Sequence, residues 1–188
     1  MGSPAEPTPV LFILAAFSRN PQALAWTKQK TESTWGPAAL ISPAFEFTQT
    51  DYYQSTMGAG LKKQFFAFER LIDPAQLVQI KLQTNHWEAD YASLGHHSEP
   101  RPLNLDPGYI TLAKLILAST KDHSHRIYLD QGIYAEITLS YRSGQWQSAE
   151  WTYPDYRRPD FQQFFVHCRD YFKQTSTRPQ PASREMPS

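Results

Sequence analysis

The pattern of apolar and polar positions divides the first half of the chain into alternating strand-like and helix-like segments. Residues 10–17 (VLFILAAF) are apolar without interruption, which predicts a central strand covered by helices. A helix is predicted over residues 20–34, where an Asn-Pro pair provides the N-cap and the first helical position. Strand spacing returns in residues 39–47 and 61–71, so two more strands are expected there.

Helix-start signals recur in the rest of the chain. An Asp-Pro pair begins a predicted helix over residues 73–91, whose apolar positions keep helical spacing. The stretch NLDPGY, residues 104–109, contains a second Asp-Pro pair, and an apolar stripe follows it. It therefore predicts a third helix over residues 106–120. A fourth helix is predicted over residues 158–172, with one phenylalanine-rich face.

Two alternating runs around residues 130–132 predict a β-hairpin with a three-residue loop. One face of the hairpin is apolar, and the other is aromatic and charged. The predicted register pairs Ile127 with Ala135, Leu129 with Ile133, His125 with Ile137, Tyr128 with Tyr134 and Arg126 with Glu136. Cross-strand pairs of this kind stabilise a hairpin by about 0.2–1 kcal/mol each. A second hairpin turns at Ser143-Gly144.

The predicted element order is β-α-β-β-α-β-α-β-β-β-α, which indicates an α+β fold. We expect a mixed or largely antiparallel sheet with about four helices packed on it, and two similar β-α-β-β-α halves. A chain of 188 residues suits one domain. We place that domain at residues 9–173, between flexible tails at residues 1–8 and 174–188 that are rich in Pro, Ser and Thr.

Composition narrows the function classes. Lys+Arg and Asp+Glu both number 18, so a net charge of +0 argues against nucleic acid as a partner. The apolar run at 10–17 is too short to span a membrane, and no basic segment precedes it. The single cysteine, Cys168, excludes an internal disulfide. A cytoplasmic protein without a membrane partner is expected.

Several stretches resemble one prokaryotic family, the domain of unknown function 4416. The matching pieces are KKQFFAFERLIDP (62–74), NLDPGY (104–109), LAKLILASTKDHSHRIYL (112–129), GIYAEITLSYR (132–142) and WTYPDYR (151–157). The resemblance covers nearly the whole ordered chain. It implies a free-standing, single-domain bacterial protein, and it transfers no activity, cofactor or catalytic residue.

The candidate site is a polar cluster around the first hairpin. Its cations, which would grip a phosphate or carboxylate, are Lys63, Arg70, Lys121 and Arg126. Its rings, which would stack on a ligand ring, are Tyr128 and Tyr134. Its candidate catalytic groups are Asp106, His125 and Glu136. The alternative is a solvated sheet face with ordinary ion pairs.

NLDPGY adds Asn104, Gly108 and Tyr109 to the candidate ligand-binding residues. Helix capping does not require Asn104, and Gly108 weakens a helix by up to about 1 kcal/mol against alanine. The missing side chain of Gly108 would make room for a ligand or for a neighbouring strand.

Standard motifs are missing. The chain has no G-x-x-x-x-G-K-[ST] phosphate loop and no G-x-S-x-G nucleophile motif. His123 and His125 could hold a metal together with a carboxylate, but we assign no metal and leave the cofactor unknown.

The function expected from these residues is a small cytosolic ligand-binding domain or enzyme for an anionic, ring-containing metabolite resembling a nucleotide. Whether it is an enzyme, and its oligomeric state, stay open. The alternative is a non-enzymatic protein-interaction module that uses two aromatic segments, TDYYQSTM (50–57) and WTYPDYRR (151–158).

Overall fold

The computed structural model describes residues 2–48 and 53–176 of the chain. In these residues the chain forms nine strands and four helices, an α+β single-domain fold. The strands are β1 (Leu11–Ser18), β2 (Ala38–Ile41), β3 (Phe45–Glu46), β4 (Lys62–Phe68), β5 (Asn104–Ile110), β6 (Lys114–Ser119), β7 (Ile127–Asp130), β8 (Ile133–Arg142) and β9 (Gln145–Ser148). The helices are α1 (Pro21–Trp35), α2 (Gln54–Met57), α3 (Leu77–Ser93) and α4 (Pro159–Thr175).

The strands form one sheet in the order β2-β4-β1-β5-β6-β8-β7, with β3 also on β4 and β9 also on β8. Each of these pairings is antiparallel. Strand β1 is buried along its whole length, as its unbroken apolar run predicts. Its residues Leu11, Ile13 and Ala15 pack towards α4, while Phe12, Leu14 and Ala16 pack towards α1 and α3.

The prediction of a helix over residues 106–120 is wrong. NLDPGY forms most of β5, and the following apolar residues form β6. An N-cap stabilises a helix by only about 1 kcal/mol. Strand β5 instead pairs with β1 over seven positions, from Leu11–Ile110 to Phe17–Asn104, and completes the buried centre of the sheet. Because this helix is missing, the two halves of the chain no longer match as β-α-β-β-α.

The hairpin register is confirmed at Ile127–Ala135 and Tyr128–Tyr134. The loop is shorter than predicted: Gln131 and Gly132 both have positive φ, and a bulge lets Asp130 instead of Leu129 pair with Ile133. The apolar face of the hairpin is buried at Ile133, which packs against α3, but not at Ile127, which is 71% exposed. All four residues of β7 are exposed, a placement that the local alternation of apolar and polar residues does not specify.

Residues 2–9 lie outside helices and strands, and α4 continues to Thr175, two residues into the predicted C-terminal tail. Residues 177–188 of that tail, and residues 49–52 of the segment TDYYQSTM, lie outside the described residues. No helix in the described ranges has the length and apolar character needed to cross a membrane.

Gly108 makes room for a strand. A Cβ atom at this position would lie 2.1 Å from the Ile116 carbonyl oxygen and 2.8 Å from the Leu117 side chain. Both neighbours belong to β6, which pairs with β5 at this point. The missing side chain therefore allows close approach of two backbones, and Gly108 is not open to a ligand.

Replacement of Gly108 by alanine is expected to destabilise the fold by about 3 kcal/mol, the upper end of the range for overpacking, because the clash is with backbone. Gly132→Ala is the control, since its methyl group would meet no atom within 4 Å and only its positive φ opposes it. We expect a loss of about 1–2 kcal/mol there. Urea denaturation measures both variants. A Gly108 variant as stable as the wild type would contradict the close β5–β6 contact.

Candidate functional site

Strands β5 and β6 separate at Pro107. Their pairing covers only Gly108–Ile110 of β5, whereas β6 continues to Ser119 as a partner of β8. Proline has no backbone N–H to donate to a neighbouring strand, so it is suited to the point where a ladder ends. The first residues of β5 consequently have a strand partner, β1, on one side only.

Helix α3 satisfies the backbone that this separation leaves unpaired. The Leu105 N–H donates to Glu88 Oε1 at 2.7 Å, and the Leu105 carbonyl accepts from Lys81 Nζ at 2.8 Å. Lys81 and Glu88 are seven residues apart, about two helical turns, and so reach the strand from one face of α3. Two charged side chains thus replace a missing strand.

The two side chains are joined into a ring by three neighbours. Arg101 donates to Glu88 Oε2 through Nε at 3.2 Å and Nη2 at 2.8 Å, and it also donates to Asn104 Oδ1. Asn104 Nδ2 donates to Asp106 Oδ2 at 2.7 Å, and Lys81 Nζ lies 3.5 Å from Asp106 Oδ1. We call these five residues the Asp106 network: Lys81, Glu88, Arg101, Asn104 and Asp106.

The pKa values of the two carboxyl groups of the network are shifted in opposite directions. Burial acts to raise the pKa of Asp106, but Lys81, Lys63 and the Asn104 hydrogen bond outweigh it and hold that pKa below its usual range. Burial raises the pKa of Glu88 against the pull of Lys81 and Arg101. The Asp106 side chain is 33% exposed and that of Glu88 is 12% exposed. Both pKa shifts follow from burial and from the neighbouring cations.

A second network surrounds Arg126, whose side chain is 2% exposed. Its Nε donates to Glu136 Oε2 at 2.8 Å, and its Nη2 donates to the Tyr153 hydroxyl at 2.8 Å. Its Nη1 donates to Ser119 Oγ and to the Lys121 carbonyl. His125 Nε2 lies 3.2 Å from Glu136 Oε2. Four of the five guanidinium N–H groups bind protein groups, and the side chain is buried among them.

Lys63 and Asp155 form a buried ion pair between the two networks, with side chains 8% and 4% exposed. Lys63 Nζ also lies 4.8–5.3 Å from the centres of three rings, those of Phe17, Phe47 and Tyr156. These charges interact, because burial and then Asp106 and Tyr153 raise the pKa of Tyr53. The two networks and this pair therefore occupy one end of the sheet.

Most of the sequence-predicted site residues lie at this end. They are Lys63, Asn104, Asp106, Lys121, His125, Arg126 and Glu136. Tyr128 and Tyr134 contact each other at the outer edge, with ring centres 5.4 Å apart. Tyr109 packs on the opposite face of the sheet against residues of α3. Arg70 lies apart, in a groove of about 420 Å³ beside Trp35 and Gln76.

The four cations of the two networks and the buried pair are balanced by carboxylates. Each is bound to one: Lys63 to Asp155, Lys81 to Asp106, Arg101 to Glu88 and Arg126 to Glu136. The exposed Lys121 is a further cation at this end. Among the described residues, no group of three His, Cys, Asp or Glu side chains could hold a metal ion. His123 and His125 instead stack, with Trp151 on the other side of His125.

Sequence reasoning missed Lys81, Glu88, Arg101 and Asp155. A signal existed for Lys81, because it follows buried Leu77 and Val78 at helical spacing and so falls on the face of α3 that packs inward. Arg101 follows a loop with no regular pattern, and nothing local pointed to it.

The fold and the two networks define a single-domain α+β protein with a polar, charge-balanced site at one end of an antiparallel sheet. The chain belongs to the family described as Domain of unknown function (DUF4416), whose model matches residues 8–172. Searches of curated proteins and of solved structures found no match. Membership confirms the resemblance seen in the sequence, and any function has to be argued from the site.

Asp106 should make the stability of the protein depend on pH. Its folded pKa lies below its unfolded value, so its contribution is present above about pH 4 and is lost as the pH falls through the folded pKa. The melting-temperature gap between wild type and Asp106→Asn should therefore shrink as the pH falls from 7 to 3. Asp90→Asn, an exposed carboxylate on α3, is the control. A gap that stays constant would contradict an ionised, ion-paired Asp106.

Lys81→Met should destabilise the protein by about 1–3 kcal/mol, because the buried Leu105 carbonyl loses its only side-chain donor among the described residues. Lys114→Met on β6, where the lysine is exposed, should change stability by no more than about 0.5 kcal/mol. Chemical denaturation measures both variants. Equal stability of the two variants would show that Lys81 does not support β5.

Proposed function

We propose that this protein is a cytoplasmic ligand-binding domain or enzyme that takes an anionic, ring-containing metabolite of the nucleotide class at the Asp106 network. One observation carries the proposal. Asp106 is held ionised by Lys81 and Asn104, yet a third of its side chain stays open to solvent. The exposed part of this ionised, oriented carboxylate is the place where a ligand donor binds.

The exposed cation of the site is Arg101. Its side chain is 41% exposed, whereas those of Lys63, Lys81 and Arg126 are 8%, 6% and 2% exposed. The hydrogen bonds of Arg101 use Nε and Nη2, and they leave Nη1 without a hydrogen bond to any described residue. Arg101 therefore contacts the anionic group of the ligand.

The sugar and the base of the nucleotide have their own contacts at the same site. Sugar hydroxyls of a nucleotide donate to the open side of Asp106. Tyr153, 42% exposed and held through its hydroxyl by Arg126, presents a fixed ring on which a base stacks. Because the protein charges already balance, the site selects a ligand with few negative charges.

If the protein is an enzyme, Asp106 acts as an ionised carboxylate that orients a ligand hydroxyl by accepting its hydrogen bond. Glu88 has both oxygens engaged, by Leu105 and by Arg101, and so positions Arg101. The two carboxyl groups are joined through Arg101 and Asn104, so their separation stays constant.

A thermal-shift and calorimetric screen tests the proposal with nucleoside mono-, di- and triphosphates and sugar phosphates, each with and without Mg²⁺. At least one nucleotide should raise the melting temperature. For that compound, Asp106→Asn and Arg101→Met should each weaken binding about tenfold or more, which corresponds to about 1.4 kcal/mol.

The matched controls are Asp90→Asn on α3 and Arg70→Met at the other groove, which should bind like the wild type. The unliganded variants are measured first, so that a loss of folding is separated from a loss of binding. A panel without any stabilising compound would overturn the proposal. So would a loss of binding in Arg70→Met that equals the loss in Arg101→Met.

A further inference from the structure

One part of the sheet has an apolar face that the described helices leave largely uncovered. Helices α1 and α3 pack over the central strands, and α3 reaches Ile133 and Ala135 of β8. Strands β7 and β9 and the rest of β8 extend beyond it. Four large apolar side chains are exposed there: Ile127 at 71%, Leu129 at 41%, Ile137 at 42% and Trp151 at 43%. Contiguous apolar surface of this kind on a folded domain usually marks an interaction site.

This face has two unlike halves. Strands β7 and β9 pair one after the other with β8, so that β7 lies beside its first residues and β9 beside its last. Ile127 and Leu129 project from the β7 half. The β9 half contains a groove of about 330 Å³, whose lining includes Ile137, Ser140, Gln147 and Trp151. Trp151 is fixed there by its Nε1, which donates to the Ile137 carbonyl at 3.0 Å.

The two halves also carry opposite charges. Asp130 pairs with Ile133 across the hairpin and so shares the face on which Ile133 packs with Ile116 and Ala118. Its carboxylate binds only Gln131 among the described residues. Arg142 lines the groove at the far end of β8, and its side chain makes no hydrogen bond or ion pair with any described residue.

We infer that a second copy of this chain docks on the β7–β9 face. The two-fold axis lies between the two facing sheets and passes over Ile137, perpendicular to β8. That axis exchanges the ends of β8, so the projecting Ile127 and Leu129 of each copy enter the groove of the other. It also places Asp130 of each copy at Arg142 of the other. The face is thus self-complementary in shape and in charge, as a two-fold interface requires.

Docking of the second copy on the face of the sheet is favoured over pairing of a further strand with the edge strand β7. Strand β7 has only four residues and contains a bulge, and both features hinder pairing with a further strand. The exposed apolar side chains lie on the face of the sheet, where a facing copy covers them.

Light scattering across low to high micromolar protein concentrations tests the inference. The wild type should be a dimer. Ile127→Lys, Asp130→Lys and Arg142→Asp should each shift it towards monomer with little change in melting temperature, because all three side chains are exposed. The double charge reversal, Asp130→Lys with Arg142→Asp, should restore the dimer. The lysine at position 130 of each copy then attracts the aspartate at position 142 of the other.

Cysteine cross-linking tests the position of the axis. In Ile137→Cys the two new thiols meet at the axis, and mild oxidation should give a disulfide-linked dimer. The only native cysteine, Cys168, is buried. Leu94→Cys, 50% exposed at the end of α3, is the control and should cross-link no more than the wild type. A wild type that stays monomeric, or equal cross-linking of the two variants, would overturn the inference.

Discussion

The N–H and C=O groups of Leu105 face a gap in the sheet, where no neighbouring strand can bind them. The side chains that bind them instead determine the arrangement of the polar end of the molecule. A buried, unpaired backbone group destabilises a fold by about 1–3 kcal/mol. Lys81 and Glu88 satisfy Leu105, and in doing so they bring two charges to the edge of the core. Those charges require counterions, which Asp106 and Arg101 provide. A gap in a sheet thus becomes an ordered site containing an ionised carboxylate.

The charge balance of this end determines what the site can do. Ion pairs as buried as Lys63–Asp155 and Arg126–Glu136 add little net stability, because desolvation offsets their attraction, but they fix side-chain positions. Arg126 holds Tyr153, so an exposed ring is oriented by a buried residue. The buried charges therefore serve as supports, and in the proposed function Asp106, Arg101 and Tyr153 are the groups that contact the ligand.

Sequence patterns identified elements where one signal was dominant. The apolar run of β1, the helices α1, α3 and α4, and the Tyr128–Tyr134 register were predicted correctly. NLDPGY was not, because its Asp-Pro pair is the same signal that precedes α3, and the need of buried β1 for a partner decided the outcome. The sequence indicated Asp106, Arg126 and Glu136 through their local motifs, whereas Glu88 reaches Leu105, and Arg101 reaches Glu88, only through tertiary packing. Which hairpin face is buried likewise depends on distant helices.

Amide hydrogen exchange at Leu105 tests the account most directly. Leu105 should be as well protected as Tyr109, which lies four residues further along β5 and pairs with Ile116. In Glu88→Ala the protection of Leu105 should fall, while that of Ile13 in β1 should persist. Rapid exchange of Leu105 in the wild type, as at a free strand edge, would contradict the claim that α3 replaces the missing strand.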